Sequence, residues 1–243
     1  MKKTIIHHFL SLIILLVGSF FLYGCDEDED IPDMVSPVAS GSFIDERDGE
    51  TYHWVQYGNL QWMTENFRYD INSDTDCRNY IDHEDWVDYA AQQPSTRNRA
   101  KYGMYYTLQG AHKACPDGWR LPSDDDWKQL EMALGMSASD VEKYDWRGNV
   151  SHNMVTTKDN ETFLKILLGG YVTLHVYTFL RNGSRYKGAW GFYWTDSKDS
   201  RKDGDFYIYR KFAYNQNKVC RESMEKVSQM LSVRFVRDAN LPQ

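Results

Sequence analysis

The side chains able to do chemistry are few and dispersed along this 243-residue chain. His53, His83, His112, His152 and His175 fall far apart, and the tightest group of possible metal ligands is His83-Glu84-Asp85. Neighbours in a polar, irregular stretch are ordinarily just solvated, so this group reads as surface. Asp124-Asp125-Asp126 could gather a cation, but the three directly follow Ser123, a strong N-cap residue. Asp126 stands at the capping-box position, and all three carboxylates suit the positive end of a helix dipole. Helix-start chemistry is therefore the reading adopted. No Gly-rich phosphate loop, serine nucleophile elbow or paired-cysteine zinc motif occurs. Nothing in these residues assembles a catalytic set or calls for a cofactor, and the chain reads as non-catalytic. The four cysteines, Cys25, Cys77, Cys115 and Cys220, are the remaining reactive groups.

Cys25 has the clearest context. Met1-Lys2-Lys3 is a short cationic start, an apolar run extends from about Phe9 to Leu22, and Leu22-Tyr23-Gly24-Cys25 closes it. Cationic start, apolar core and small residues before a cleavage point are the marks of a secretory signal. The apolar run is shorter than the ~20 residues a spanning helix needs. Leu-x-Gly-Cys at its end resembles a bacterial lipobox. That resemblance implies cleavage after residue 24, acylation of Cys25, and the membrane as a partner through that lipid. Several acyl chains, each contributing ~0.8 kcal/mol per buried methylene, make a stable anchor where one is marginal. Asp26 to Asp30 are five consecutive carboxylates, a solvated tether that cannot pack. An acidic run in this place resembles the surface-export signal of Bacteroidota-type lipoproteins, which implies an outer-membrane protein facing the cell exterior.

The elements that must position any site follow from pattern. Residues 25–41 are tether and linker, and order is expected from Ser42-Phe43-Ile44. Thr51–Tyr57 and Leu60–Met63, joined by Gly58-Asn59, read as a tight β-hairpin. Residues 70–99 read as a long polar insertion with a helical turn near Asp85–Asp88. Gly103–Tyr106 reads as a short strand. Thr107 caps a helix to about Ala114, and Ser123 caps another that carries Trp127, Leu130 and Leu134 and ends at Gly135. Strands are expected at Tyr171–Tyr177, Trp190–Trp194, Phe206–Tyr214 and Ser232–Val236. Helices early and strands late suggest an α+β domain.

Composition narrows the partners. Net charge is −7; without Lys2 and Lys3 it is −9, of which the acidic run supplies −5, leaving a mildly acidic body. That is no footprint for nucleic acid. Aromatics reach 15%, with 17 Tyr and 8 Trp, residues that serve cores and binding surfaces alike.

The motifs themselves carry a resemblance. Asp48-Gly49-x-x-Tyr52, Trp62-Met63-x-Glu65-Asn66 and Tyr102-Gly103-x-x-Tyr106-Thr107 come first. Ala114-Cys115-Pro116-x-Gly118-Trp119-Arg120-Leu121-Pro122-Ser123, Trp127, Leu168-Gly169-Gly170-Tyr171, Trp194 and Ser232-Val233-Arg234-x-Val236-x-Asp238 follow in order. Together they resemble the Fibrobacter succinogenes major paralogous domain family, across a domain placed at residues 42–240. Ala111-x-x-x-Cys115 with Gly118, Leu121 and a helix from Asp124 is also similar to the two-helix start of C-type lectin-like domains. This implies two helices packed on twisted antiparallel sheets. In that fold the first-helix cysteine bonds a cysteine of the last strand. Phe235 occupies that place here, so the resemblance leaves Cys220 as the partner expected for Cys115, with Cys77 as the alternative. The fold's long loops map to about 177–194 and 215–221. They make Tyr177, Arg181, Arg185, Tyr186, Trp190 and Tyr193 the candidate ligand surface.

Two activities of that fold are set aside. Arg120-Leu121-Pro122-Ser123 and Val233-Arg234-x-Val236-Arg237 resemble formylglycine-generating enzymes, whose oxidation needs two close cysteines; only Cys220 lies in the relevant half. Calcium-dependent lectins use Glu-Pro-Asn or Gln-Pro-Asp with Trp-Asn-Asp, and Trp194-Thr195-Asp196 is only a faint echo, so no metal is expected. The expectation is a lipid-anchored, cell-surface binding or adhesion module with a glycan or protein ligand; its rival is a structural component of the envelope or of a surface fibre.

Overall fold

The computed structural model describes residues 32–80, 96–173, 184–226 and 229–239. The leader, Cys25, the acidic run, His83, His175 and the turn expected at Asp85–Asp88 lie outside them. Among the described residues the domain is α+β, with strands grouped in antiparallel sheets and three short helices.

The first sheet runs β1 (Ala39–Asp45), β2 (Glu50–Tyr57), β3 (Leu60–Met63), β13 (Val236–Asp238). The β2–β3 hairpin forms as expected, closed by the Tyr57–Leu60 pair. Gly58 takes φ +56° there, a left-handed conformation that glycine adopts without a Cβ penalty. β13 pairs with β3, so the last strand returns beside the first hairpin. Ahead of β1, the chain is tied to the body by side chains. Asn153 accepts from Val35 N at 2.7 Å and donates to Asp33 O at 3.1 Å, and the Tyr57 hydroxyl donates to Val35 O at 2.9 Å.

Helix α1 (Thr96–Tyr102) leads into β5 (Tyr105–Tyr106), which pairs with β4 (Cys77–Arg78). Helix α2 (Leu108–Ala114) begins at Thr107, whose side chain accepts from Gly110 N. Helix α3 (Asp124–Ala133) begins with the full capping box between Ser123 and Asp126. Both helix starts match the sequence reading because N-capping is decided within four residues.

The second large sheet is ordered β6 (Asp145–Arg147), β11 (Val219–Glu225), β10 (Phe206–Ala213), β9 (Trp190–Lys198). A smaller sheet joins β12 (Gln229–Met230), β7 (Tyr171–Thr173) and β8 (Ser184–Arg185). Two expectations change. The loop expected at 215–221 is shorter, because Val219, Cys220 and Arg221 belong to β11 and pair with β6. The 232–235 run is not a regular strand. Its backbone is instead shared out, Ser232 N to Phe192 O and carbonyls 233 and 235 to Phe67 N and Met63 N.

Strand β9 is buried on both sides and alternates between two apolar clusters. Tyr193 joins Trp62, Trp127, Phe212 and Val236; Phe192 and Trp194 join Tyr52, Trp54, Ala111, Tyr209 and Phe235. Between β10, β11 and α3 lies a buried ionic network. Arg210 donates to Asp124 and Glu131 at 2.7 Å each, Arg147 donates to Glu131 at 2.6 Å, and Arg221 is bonded through Nη2 and Nε to the Asp124 carboxylate. Burial alone would raise the Asp124 carboxyl, but the hydrogen bonds and charges of Arg221 and Arg210 overcome it and hold it at about 2.

Candidate functional site

The candidate surface is partly assembled and partly dispersed by the fold. Tyr177 and Arg181 lie outside the described residues. Arg185 is exposed on β8, opposite Tyr171. Tyr186 is 44% exposed, and Trp190, four residues on, is half-buried. Their rings stack with centroids 4.4 Å apart and planes 25° apart. Tyr193 is a correction: it is wholly buried, its hydroxyl donating to Leu167 O at 2.7 Å and lying 3.1 Å from Asn66 Oδ1. Alternation along β9 turns it to the opposite face from Trp190, toward α3. Arg221, at the end of the second expected loop, is likewise taken into the ionic network.

The cysteines also depart from expectation. Cys77, Cys115 and Cys220 are all free thiols, so the Cys115–Cys220 bond is not formed. Cys115 caps α2, its thiol 3.1 Å from Trp119 O, whereas Cys220 sits in β11 beside Asp145. Different elements and different neighbours hold the two. Phe235 is buried in the cluster with Ala111 and Ala114. Burial pushes both the Cys115 and Cys220 thiols up to about 12, which leaves them as unreactive thiols at neutral pH.

Local backbone geometry presents the Tyr186–Trp190 pair. Trp190 N and Ala189 N both donate to Tyr186 O, turning the chain so that residues four apart meet. Gly188 N donates to Leu168 O and Gly170 N to Trp190 O, pinning the turn to the 168–170 segment. Gly170 is required there: at φ +73° it passes so close to the 185–187 backbone that a Cβ would collide with Arg185 O. Tyr186 itself takes φ +68°, an outlier for a bulky residue, which costs about 1–3 kcal/mol and needs its surroundings to hold it.

Outward from this pair the sheet carries a mixed aromatic and charged row. The Tyr171 ring lies 5.7 Å from Tyr186. The Lys211 ammonium sits 5.6 Å from the Trp190 ring and 5.0 Å from Trp146, and 3.3 Å from the Glu222 carboxylate. The Tyr209 hydroxyl donates to the same carboxylate at 2.6 Å. Burial tends to raise Glu222, but Tyr209 and Lys211 outweigh it and keep the group ionised. Rung pairing explains the row: Trp146, Cys220, Lys211 and Phe192 stand opposite one another across four strands, and so share a face.

Asp145, Cys220 and Glu222 bring three possible metal ligand atoms within 4.8 Å of one another. A cation there would have to displace both the thiol proton and the Lys211 ammonium, so the group serves first as an ion pair. The three aspartates at 124–126 divide as helix-start residues do, with one addition sequence reasoning missed: Asp126 caps and pairs with Arg120, while Asp124 turns inward to the arginines. Two histidine–carboxylate pairs, His53–Glu65 at 2.7 Å and His112–Asp196 at 2.9 Å, lie on different elements and at the surface.

The chain matches the family model described as the Fibrobacter succinogenes major domain over residues 55–237. No curated protein and no solved structure gives a match.

Proposed function

The chain belongs to the Fibrobacter succinogenes major domain family, and from that premise we propose that it is a lipid-anchored, non-catalytic binding module at the cell surface, with a glycan as its ligand. The single observation that carries this reading is the Tyr186–Trp190 stack. Two aromatic rings are kept at the surface, one on a backbone conformation that opposes it, in a turn pinned by Gly170. Trp190 packs inward against Phe192, and Tyr186 lies against its other side. Exposed aromatic faces bring large apolar area with polar tips, which suits the apolar face of a sugar ring. Glu222 and Lys211 add an acceptor and a donor for hydroxyl groups alongside. Arg185, Tyr177 and Arg181 complete the proposed contact set.

The anchor is proposed from the lipobox-like Leu22–Cys25 and surface display from the acidic run that follows it. A C-type lectin-like fold is proposed as well, supported by the order α2, Gly118, Leu121, α3 and by the pairing of β13 with β3.

The test is a glycan array probed with the full chain in detergent, repeated with Trp190→Ala. Binding to a glycan that the variant loses by about tenfold or more supports the reading. Binding to none, or binding indifferent to the variant, overturns it in favour of a protein ligand or a structural role. Protease shaving of intact cells tests display: a fully protected domain removes the surface assignment, and metabolic labelling with a fatty acid that survives Cys25→Ala removes the anchor.

A further inference from the structure

A second concave site lies elsewhere, on the first sheet. Ser42 stands opposite His53 across the β1–β2 pair and Ser40 opposite Val55, so these four residues share one face. Facing them is the segment 161–165. The space between is an open cleft of about 660 Å³, within the range of small-ligand sites, roughly 300–1,000 Å³.

The wall of this cleft is held rigidly from behind. Arg234, buried to 1% exposure, donates to Leu164 O at 2.8 Å and Lys165 O at 2.5 Å, while its Nε donates to Asn66 Oδ1 at 2.7 Å. The Thr162 hydroxyl donates to Met154 O at 2.8 Å and accepts from Lys165 N at 3.0 Å. Thr162 and Leu164 are thus buried, and Phe163 between them is turned outward, 40% exposed, lining the cleft. The Phe163 ring is therefore presented on a fixed wall, and Trp54 lines the same space from the first sheet.

The floor is polar. Glu65 accepts from the His53 backbone N–H at 2.8 Å and engages its Nδ1 at 2.7 Å. That orients the imidazole and leaves Nε2 for the cleft, where His53 is a lining residue. The hydroxyls of Ser40 and Ser42 border the same space.

Charge and polarity select the ligand. At the lip, Lys165 and Glu161 lie 3.9 Å apart and offset each other, and the Glu65 carboxylate is engaged by His53. An anion would find no unmatched cation, and a cation no unmatched carboxylate. A lipid chain would find Phe163, Trp54 and Val55 interrupted by hydroxyls and an imidazole. A neutral polyhydroxyl compound with one apolar face meets both the ring and the floor.

We propose that this cleft is a separate binding site for a short neutral saccharide, which stacks on Phe163 and hydrogen-bonds to His53 Nε2, Ser40 and Ser42. It shares no residue with the Tyr186–Trp190 surface and stands or falls apart from it. The test uses the full chain in detergent, with cellotriose, maltotriose, triacetylchitotriose and, as the charged comparison, trigalacturonate, followed by saturation-transfer NMR and tryptophan fluorescence. The expected result is that at least one neutral trisaccharide binds and trigalacturonate does not. Phe163→Ala then weakens binding about tenfold, and Ser42→Tyr, which fills the cleft from the opposite side, abolishes it. No binding by any neutral trisaccharide, binding preserved in both variants, or preference for trigalacturonate overturns the proposal. So does loss of the same binding in Trp190→Ala with Phe163→Ala unaffected, an outcome that would instead favour the Tyr186–Trp190 surface.

Discussion

The two faces of the β6–β11–β10–β9 sheet are built from adjacent residues with opposite fates. On β10, Arg210 points to α3 and is wholly buried, while Lys211 points outward between two indoles. On β11, Arg221 is drawn into the Asp124 carboxylate, while its neighbour Glu222 keeps 40% of its side chain in solvent. A strand's period of two places like-charged chemistry in two environments. On the inner face each carboxylate is shared between two guanidiniums, so the pairs hold the architecture. On the outer face Lys211 and Glu222 pair with each other 3.3 Å apart, with Glu222 partly in solvent. Buried, matched charge marks scaffold; half-exposed charge beside aromatic rings marks the surface proposed for binding.

Breaking the inner face has the largest expected effect. Asp124→Asn keeps the shape and leaves Arg210 and Arg221 without their shared counter-charge. Removing one member of a buried pair typically costs about 3–5 kcal/mol. Urea unfolding followed by far-UV circular dichroism should show the midpoint falling with an unchanged slope; a shift within error of the parent would deny the network its structural role.

Acid sharpens the contrast. Asp124 has a folded pKa of about 2, below its ordinary 3.8. Its contribution is therefore fully present above pH 4 and disappears as pH falls through 2. The drop from 3.8 to about 2 amounts to roughly 2–3 kcal/mol. Stability measured from pH 5 down to pH 2 should fall more steeply in the parent than in Asp124→Asn, and parallel curves would contradict the assignment.

The smallest effect is expected outside. Glu222→Gln removes a partly exposed carboxylate whose attraction to Lys211 is screened by water, and the cost should stay below about 1 kcal/mol. A loss comparable to that of Asp124→Asn would mean the outer row is scaffold too, and the comparison would collapse.

What the sequence disclosed followed the range of the interactions. The β2–β3 hairpin and the starts of α2 and α3 were legible because Gly58-Asn59, Thr107 and Ser123 act within a few residues. The α+β class followed from those elements, although β1 to β3 precede the helices. The ionic network was not legible: Asp124 reads as a helix-start residue, and its real partners lie 86 and 97 residues away. Tyr193 and Trp190 looked alike as aromatics in one stretch. Only the register of β9 separates a core tyrosine from a surface tryptophan, and the unbroken apolar run Gly191–Trp194 conceals that alternation. Cys220 was matched to Cys115 through the resemblance alone, and its partner across the sheet, Trp146 on β6, lies 74 residues upstream, beyond the reach of local pattern. The 161–165 wall had no signal at all, because Arg234, which fixes it, is about 70 residues downstream.

The bonds that tie residues 33–35 to the body also set how the domain answers tension. A pull on the leading end of the chain reaches Asp33 and Val35 first. There it meets the Asn153 side chain and the Tyr57 hydroxyl. Next comes Val38, held to Gln56, and only then the β1–β2 ladder. Load is thus met by a short series of single hydrogen bonds, together with the packing of Val35 on the first apolar cluster, before it reaches the β1–β2 ladder.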